Sequence, residues 1–253
     1  LKNEAIVVKD LYKSYGKAQI LKGLNLTVYE GETLVILGRS GVGKSVLLKQ
    51  IIGIETPNKG DITVNNTLLC ENGVRVKKAP QVNMGMLFQG AALFDSLTVG
   101  ENTAFYLRQH DNELTEEEIQ SKVSKALDMV GLSNTQKKMP SDLSGGMRKR
   151  AALARLIVYR PQILLYDEPT TGLDPITAMQ INDLINQTKK ELQATSIVVT
   201  HDMRSAIEVG DRMAFHHDGK IHLIETKEAF FKSEDPLLKA FFMNAEVTLK
   251  EKP

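Results

Sequence analysis

Residues 38–45 read GRSGVGKS, a full match to G-x-x-x-x-G-K-[ST]. They follow the apolar run Thr33–Leu37 and precede a helical pattern in which Val46, Leu47 and Ile51 share a sheet-facing side. That order sets the chemistry. Gly38, Gly41 and Gly43 let the backbone curl so that successive N–H groups, with those of Arg39, Ser40, Val42 and Val46, can converge on one anion. The helix N-terminus adds its partial positive charge. Lys44 is placed to reach the β- and γ-phosphates and Ser45 to offer a hydroxyl to Mg²⁺. The stretch implies a nucleotide site, with ATP and Mg²⁺ as the expected occupants. A second stretch, ILLYDE (163–168), ends four apolar residues on two carboxylates. Asp167 is then expected to organise Mg²⁺ and Glu168 to polarise an attacking water.

The elements that must hold these groups are short apolar strands alternating with longer helical patterns, the signature of an α/β domain with a largely parallel sheet. Residues 5–15, 20–32 and 61–66 read as β-rich, and VNMGMLFQG (82–90) as a strand ending near Gln89. Helical periodicity dominates from Leu97 to Tyr159, with a capping box over Thr115–Glu118 and Ile119, Val123, Leu127 and Val130 on one face. Strand–helix alternation resumes after Pro161, including a helix over about 176–192 and a hairpin around Asp218-Gly219. A short helical tail follows, with Leu237, Leu238, Phe241 and Phe242 at helical spacing before a polar end (246–253).

Composition bounds the partners. The 253 residues are 42% hydrophobic and 25% charged with net charge +1, so no global field marks a nucleic-acid or anionic-membrane binder, and no nucleic-acid partner is expected. Cys70 is the single cysteine, which excludes an internal disulfide and a multi-thiolate metal site and fits a reducing compartment. It reads as a packing residue. No run approaches the roughly 20 apolar residues that span a bilayer, and the first ten residues lack an apolar leader core. Action at a membrane is expected to go through a partner. Arg148, Lys149 and Arg150 read as a solvated basic face, and His110, His216, His217 and His222 as surface or hairpin residues without a functional role.

Together these residues resemble the ATP-binding cassette ATPases. LSGGM (143–147) is similar to that family's signature, with Ser144 lying 100 residues beyond Lys44. Gln89 after MLF, TGLD (171–174), His201 after SIVVT and Tyr15 before the first hairpin occur in the family's order, and the resemblance covers roughly residues 5–225. It implies a P-loop NTPase core with a mostly parallel sheet, an N-terminal antiparallel β subdomain, an α-helical subdomain inserted at about 97–160, and a tail over 226–253. It implies a head-to-tail dimer with a second copy, each ATP closed between one chain's P-loop and the other's Ser144, Gly145 and Gly146. By the same resemblance Gln89 links Mg²⁺ and water to the helical subdomain, His201 contacts the γ-phosphate, and Asp174 bridges to the partner copy's P-loop. Tyr15 would stack on adenine, with core packing as its alternative.

Met147 stands where the commonest family pattern has Gln. A thioether is no donor and a poor acceptor, so a cross-interface hydrogen bond worth roughly 0.5–1.5 kcal/mol is lost. DNA-repair cassettes insert a long coiled coil between P-loop and signature, and translation-factor cassettes carry two copies per chain; neither pattern occurs here. The segments at 38–60, 87–108 and 143–175 look most like the ATPases of Mla/Mce-type phospholipid transporters. Those relatives imply an integral membrane permease, a lipid-binding Mce-type protein, a STAS-domain regulator, and a place on the cytoplasmic face of the bacterial inner membrane. Leu93, Phe94 and Leu97 are expected to meet the permease. The alternatives are a small-solute (amino-acid or metal) importer ATPase or a soluble non-transport cassette.

Overall fold

The computed structural model describes residues 3–250. Glu251–Pro253, the last of the polar stretch expected to end the tail, lie outside the described residues. The chain forms two compact units, Leu1–Val82 with Thr195–Pro253, and Asn83–Ala194.

The first unit carries an antiparallel sheet and a mostly parallel one. In the antiparallel sheet, β1 (Glu4–Tyr15) lies between β2 (Ala18–Tyr29) and β4 (Lys59–Val64), with Val7 opposite Thr27 on one side and Thr63 on the other. Two further strands, β5 (Thr67–Glu71) and β6 (Val74–Arg75), extend it, with β6 at the edge. In the second sheet β3 (Thr33–Leu37) runs parallel to β9 (Thr195–Thr200) and to β10 (Arg212–His217), with Val35 opposite Val198 and Met213. All five residues of β3 and all six of β9 are buried, as expected of parallel strands covered on both faces. The last strand, β11 (Lys220–Thr226), returns antiparallel to β10. Asp218 and Gly219 make that turn with φ of 43° and 75°, the left-handed pair that a two-residue hairpin requires.

Helices α1 (Lys44–Ile51), α6 (Met203–Val209), α7 (Lys227–Phe231) and α8 (Pro236–Lys250) complete this unit. In α8, Leu238 is fully buried and Phe241 nearly so, with the Phe241 ring 5.2 Å from that of Phe215 and Phe242 stacked on Phe231 at 5.6 Å. The tail thus docks on its own chain, and Leu237 and Met243 stay exposed.

The second unit pairs β7 (Met84–Leu87) with β8 (Ile163–Asp167) in parallel. Its helices are α2 (Val99–His110), α3 (Glu116–Met129), α4 (Gly145–Ile157) and α5 (Pro175–Leu192), with a 3₁₀ turn at Pro140–Asp142. Capping boxes start α2 at Thr98/Glu101 and α3 at Thr115/Glu118; each gives two orphan backbone or side-chain donors an acceptor. Ile119, Val123 and Leu127 of α3 are buried on one stripe, each stabilising by roughly 1.5–3 kcal/mol. Asn102, fully buried, accepts from the Phe94 N–H at 2.8 Å and donates to the carbonyls of Phe94, Leu97 and Thr98. One amide thus fixes the turn leading into α2. Among the described residues no helix is long and apolar enough to cross a membrane.

Candidate functional site

Parallel pairing sets the chemistry at the carboxyl ends of strands, where open α/β sheets bind ligands. In the first unit Leu37 pairs with both Thr200 and Phe215. Gly38, His201 and His216 therefore leave neighbouring strands at the same end. Gly43 caps α1 with φ 106°, and a Cβ there would lie 2.6 Å from Ile20 Cγ2, so both conformation and space demand glycine. Lys44 is buried, and its ammonium donates to the carbonyls of Gly38 at 2.8 Å and Arg39 at 3.0 Å, curling the loop.

The residues fit a polyphosphate. α1 begins without a side-chain cap and with no acidic residue in its first turn. The helix start therefore offers its partial positive charge beside a buried cation, a setting that suits an anion. Ser45 in that first turn carries a hydroxyl oxygen of the kind that a hard cation such as Mg²⁺ prefers. Tyr15 is 47% exposed, its hydroxyl bonded to the Glu55 carboxylate and Lys13 lying 5.1 Å from its ring centroid. It is not a core residue, and Lys13 already lies over one face of its ring.

In the second unit Leu87 pairs with Tyr166, so Gln89 and the Asp167-Glu168 pair follow adjacent strand ends. The Gln89 side chain is exposed, whereas Asp167 and Glu168 are buried. Glu168 has φ 47°, an uncommon left-handed conformation for a long side chain, and strain of this kind concentrates at functional sites. The Thr171 hydroxyl donates to its Oε2 at 3.1 Å.

Ser144 is the N-cap of α4 and accepts from the Met147 N–H at 3.3 Å. Ser144 and Gly145 are exposed and the first turn carries no acid, so this helix also presents its donors outward. Gly146 is instead buried: a Cβ there would meet Thr177 Cγ2 at 2.5 Å. Asp174 caps α5, accepting from the N–H groups of Ile176 and Thr177 at 3.1 and 3.0 Å and from the Thr177 hydroxyl at 2.6 Å. That hydroxyl, with the backbone donors, holds its carboxyl below the usual range.

Two expectations are corrected. The basic run is not a uniformly solvated face, because Lys149 is only 6% exposed and donates to the carbonyls of Gln89 and Glu168. Burial lowers its amine, with Asp167 and Glu168 opposing that shift. His216 does lie in the hairpin but is 1% exposed, its backbone against the P-loop: a Cβ on Gly38 would fall 2.6 Å from the His216 carbonyl oxygen.

Neither ring nitrogen of His216 has a hydrogen-bond partner among the described residues. Burial first, then the charges of Lys44 and His217, push its pKa down from 6.5 to about 4. The native state therefore holds the ring neutral while the unfolded chain takes up a proton below pH about 6.5. Stability carried by the neutral ring is full above that pH and is lost as pH falls through about 4. Between pH 7 and pH 5 the loss comes to about 2 kcal/mol. Urea unfolding at the two pH values should show wild type losing that much more than His216→Leu. Equal losses would place the ring in water or in an unseen hydrogen bond.

A family model described as ABC transporter matches residues 21–171. The probable ribonucleotide transport ATP-binding protein mkl of Mycobacterium leprae is 40% identical over 237 residues, 94% of this chain and 68% of the relative. The intermembrane phospholipid transport system ATP-binding protein MlaF of Haemophilus influenzae is 40% identical over 230 residues, 91% of this chain and 87% of the relative. A solved dimeric ATP-binding cassette in a post-hydrolysis state with ADP and Pi superposes with TM-score 0.77 at 30% identity, over 87% of this chain and 98% of that one. These likenesses place the chain in the ABC transporter family as one of its ATP-hydrolysing cassettes.

Proposed function

We propose that the chain is the ATPase subunit of a phospholipid transporter between envelope membranes. It works as a head-to-tail dimer and drives a separate permease on the cytoplasmic face of a bacterial inner membrane. A lipid-binding Mce-type protein and a STAS-domain regulator are its proposed companions. The observation that carries the dimer is the second outward-facing helix N-terminus, at Ser144 and Gly145. A chain with one nucleotide loop needs one anion site, so the extra one suits the γ-phosphate held by another copy.

In this reading the N–H groups from Gly38 to Val46 and the Lys44 ammonium hold the phosphates, and Tyr15 stacks on the base. Ser45, Asp167 and Gln89 are the residues that would hold Mg²⁺, which would supply charge to neutralise the phosphates. Glu168 accepts a hydrogen bond from the attacking water and orients it in line; His201 steadies the γ-phosphate; Asp174 reaches the partner's loop. The proposed permease contact is a hollow of about 200 Å³ lined by Phe94, Phe105, Tyr106, Arg155 and Tyr159. Phe94 and Phe105 are 43% and 40% exposed with ring centroids 4.8 Å apart, an apolar pair that a helix from a partner can cover.

The lipid assignment is supported by likeness to the phospholipid-transport relative, of which the chain covers 87%. The mycobacterial relative's name favours a ribonucleotide and so a small-solute reading. Purification of the chain with its membrane partner separates the two. ATP-dependent transfer of labelled phospholipid between vesicles, lost in Phe94→Asp while nucleotide binding persists, is the expected result. ATP-dependent passage of a ribonucleotide, with no lipid transfer, would replace the lipid reading.

A further inference from the structure

The three cations 148–150 follow the first turn of α4, and their side chains diverge. Arg148 turns back to the Leu143 carbonyl at 2.7 Å, and Arg150 reaches the Gly131 carbonyl at 3.4 Å. Lys149 alone of the three is buried, spanning from the helix to the Gln89 carbonyl just past β7 and, at 3.4 Å, to the Glu168 carbonyl just past β8. Its three N–H donors suit that task, since an ammonium can serve two carbonyls on different strands at once. Those backbones need holding. Glu168 is left-handed, which turns its carbonyl out of strand register, and the Thr171 N–H reaches the same oxygen at 3.3 Å. Beyond Gln89 the chain turns through Ala91 and Ala92, with φ of 65° and 51°, and Arg155 of α4 holds their carbonyls at 3.2 and 2.8 Å. Helix α4 therefore stitches the loop after Gln89 with two cations and extends one of them to Glu168.

We propose that Lys149 is a positioning residue, whose ammonium ties the helix that presents Ser144 and Gly145 to the backbones of Gln89 and Glu168. The outward anion site at one end of α4 and the water-handling carboxylate then move as one body. A shift of α4 on meeting a second copy is felt directly at Glu168. The inference rests on reading Glu168 as the residue that orients water.

The test compares the full wild-type chain with Lys149→Met, which keeps length and apolar volume but has no donor, and with Lys149→Gln, which restores a neutral donor. Steady-state hydrolysis of MgATP should show kcat lower by about tenfold or more in Lys149→Met, because sub-ångström displacement of a catalytic group is costly, with KM changed less than about twofold. Lys149→Gln should recover most of the loss. Amide hydrogen exchange, which needs no turnover, should quicken at residues 89–92 and 168–171 in Lys149→Met and stay unchanged in α1. Unchanged kcat and exchange, a rise in KM alone, or a Gln variant no better than Met would each overturn the proposal. Glu168→Gln run alongside separates the readings. Wild-type turnover in that variant removes Glu168 from the chemistry, whereas the exchange result still decides whether Lys149 holds the two backbones.

Discussion

Glu168→Gln lowers turnover by at least about 100-fold while ATP binding survives. The substitution keeps the size of the side chain and the Thr171 contact at Oε2 can be remade by the amide oxygen. It removes the charge that draws a proton from water, and general-base assistance of this kind is worth about 10²–10⁴ in rate. The groups assigned to binding, Lys44 and the capless start of α1, belong to a different unit of the chain and are untouched. Fluorescent ATP titration beside phosphate-release kinetics reads both quantities. Parallel loss of affinity and rate would mean that Glu168 holds the nucleotide or the fold, and retained rate would mean that another group handles the water.

Ser144→Arg has the second large expected effect, a fall in turnover of about 100-fold, with ATP affinity of the isolated chain unchanged. Removing one oriented donor at a developing charge costs about 10²–10³. Arginine also places bulk at an exposed position that the proposed partner must approach. The helix itself tolerates the change, since losing a serine cap costs about 1 kcal/mol. A thermal midpoint near that of wild type confirms that α4 still forms. Loss of ATP binding in the single chain would show instead that Ser144 serves its own chain's nucleotide.

Much of this was legible from residue order. GRSGVGKS carries its own structural grammar, because glycines, a lysine and a hydroxyl between a buried strand and a helix leave few other shapes. The capping box at Thr115–Glu118 and the Asp218-Gly219 turn are local signals, and both formed as read. Strands β5 and β6 went unread because half-exposed strands of five and two residues carry little periodicity.

Lys149 had a signal that charge obscured. Ala152, Leu153 and Leu156, three, four and seven residues on, are all buried, so position 149 lies on the inner face of α4. His216 had none. Met213 to His216 are buried in succession because β10 is covered on both faces, and that depends on which strands neighbour it. Tyr15 shows the same limit in reverse: an aromatic in a strand pattern keeps core packing as an alternative, and only the fold leaves it half-exposed.

The central claim is that a working site takes its P-loop from one copy and its Ser144 from another. Mixing two inactive chains, Lys44→Ala and Ser144→Arg, tests it most directly. In a mixed dimer the intact P-loop of the Ser144→Arg chain faces the intact Ser144 of the Lys44→Ala chain. ATP hydrolysis should therefore reappear on mixing, rise with more than the first power of total concentration, and vanish when Glu168→Gln is added to the Ser144→Arg chain. A mixture as inactive as its components, beside a wild type whose turnover is linear in concentration, would mean that each chain holds a complete site, and the head-to-tail account would fail.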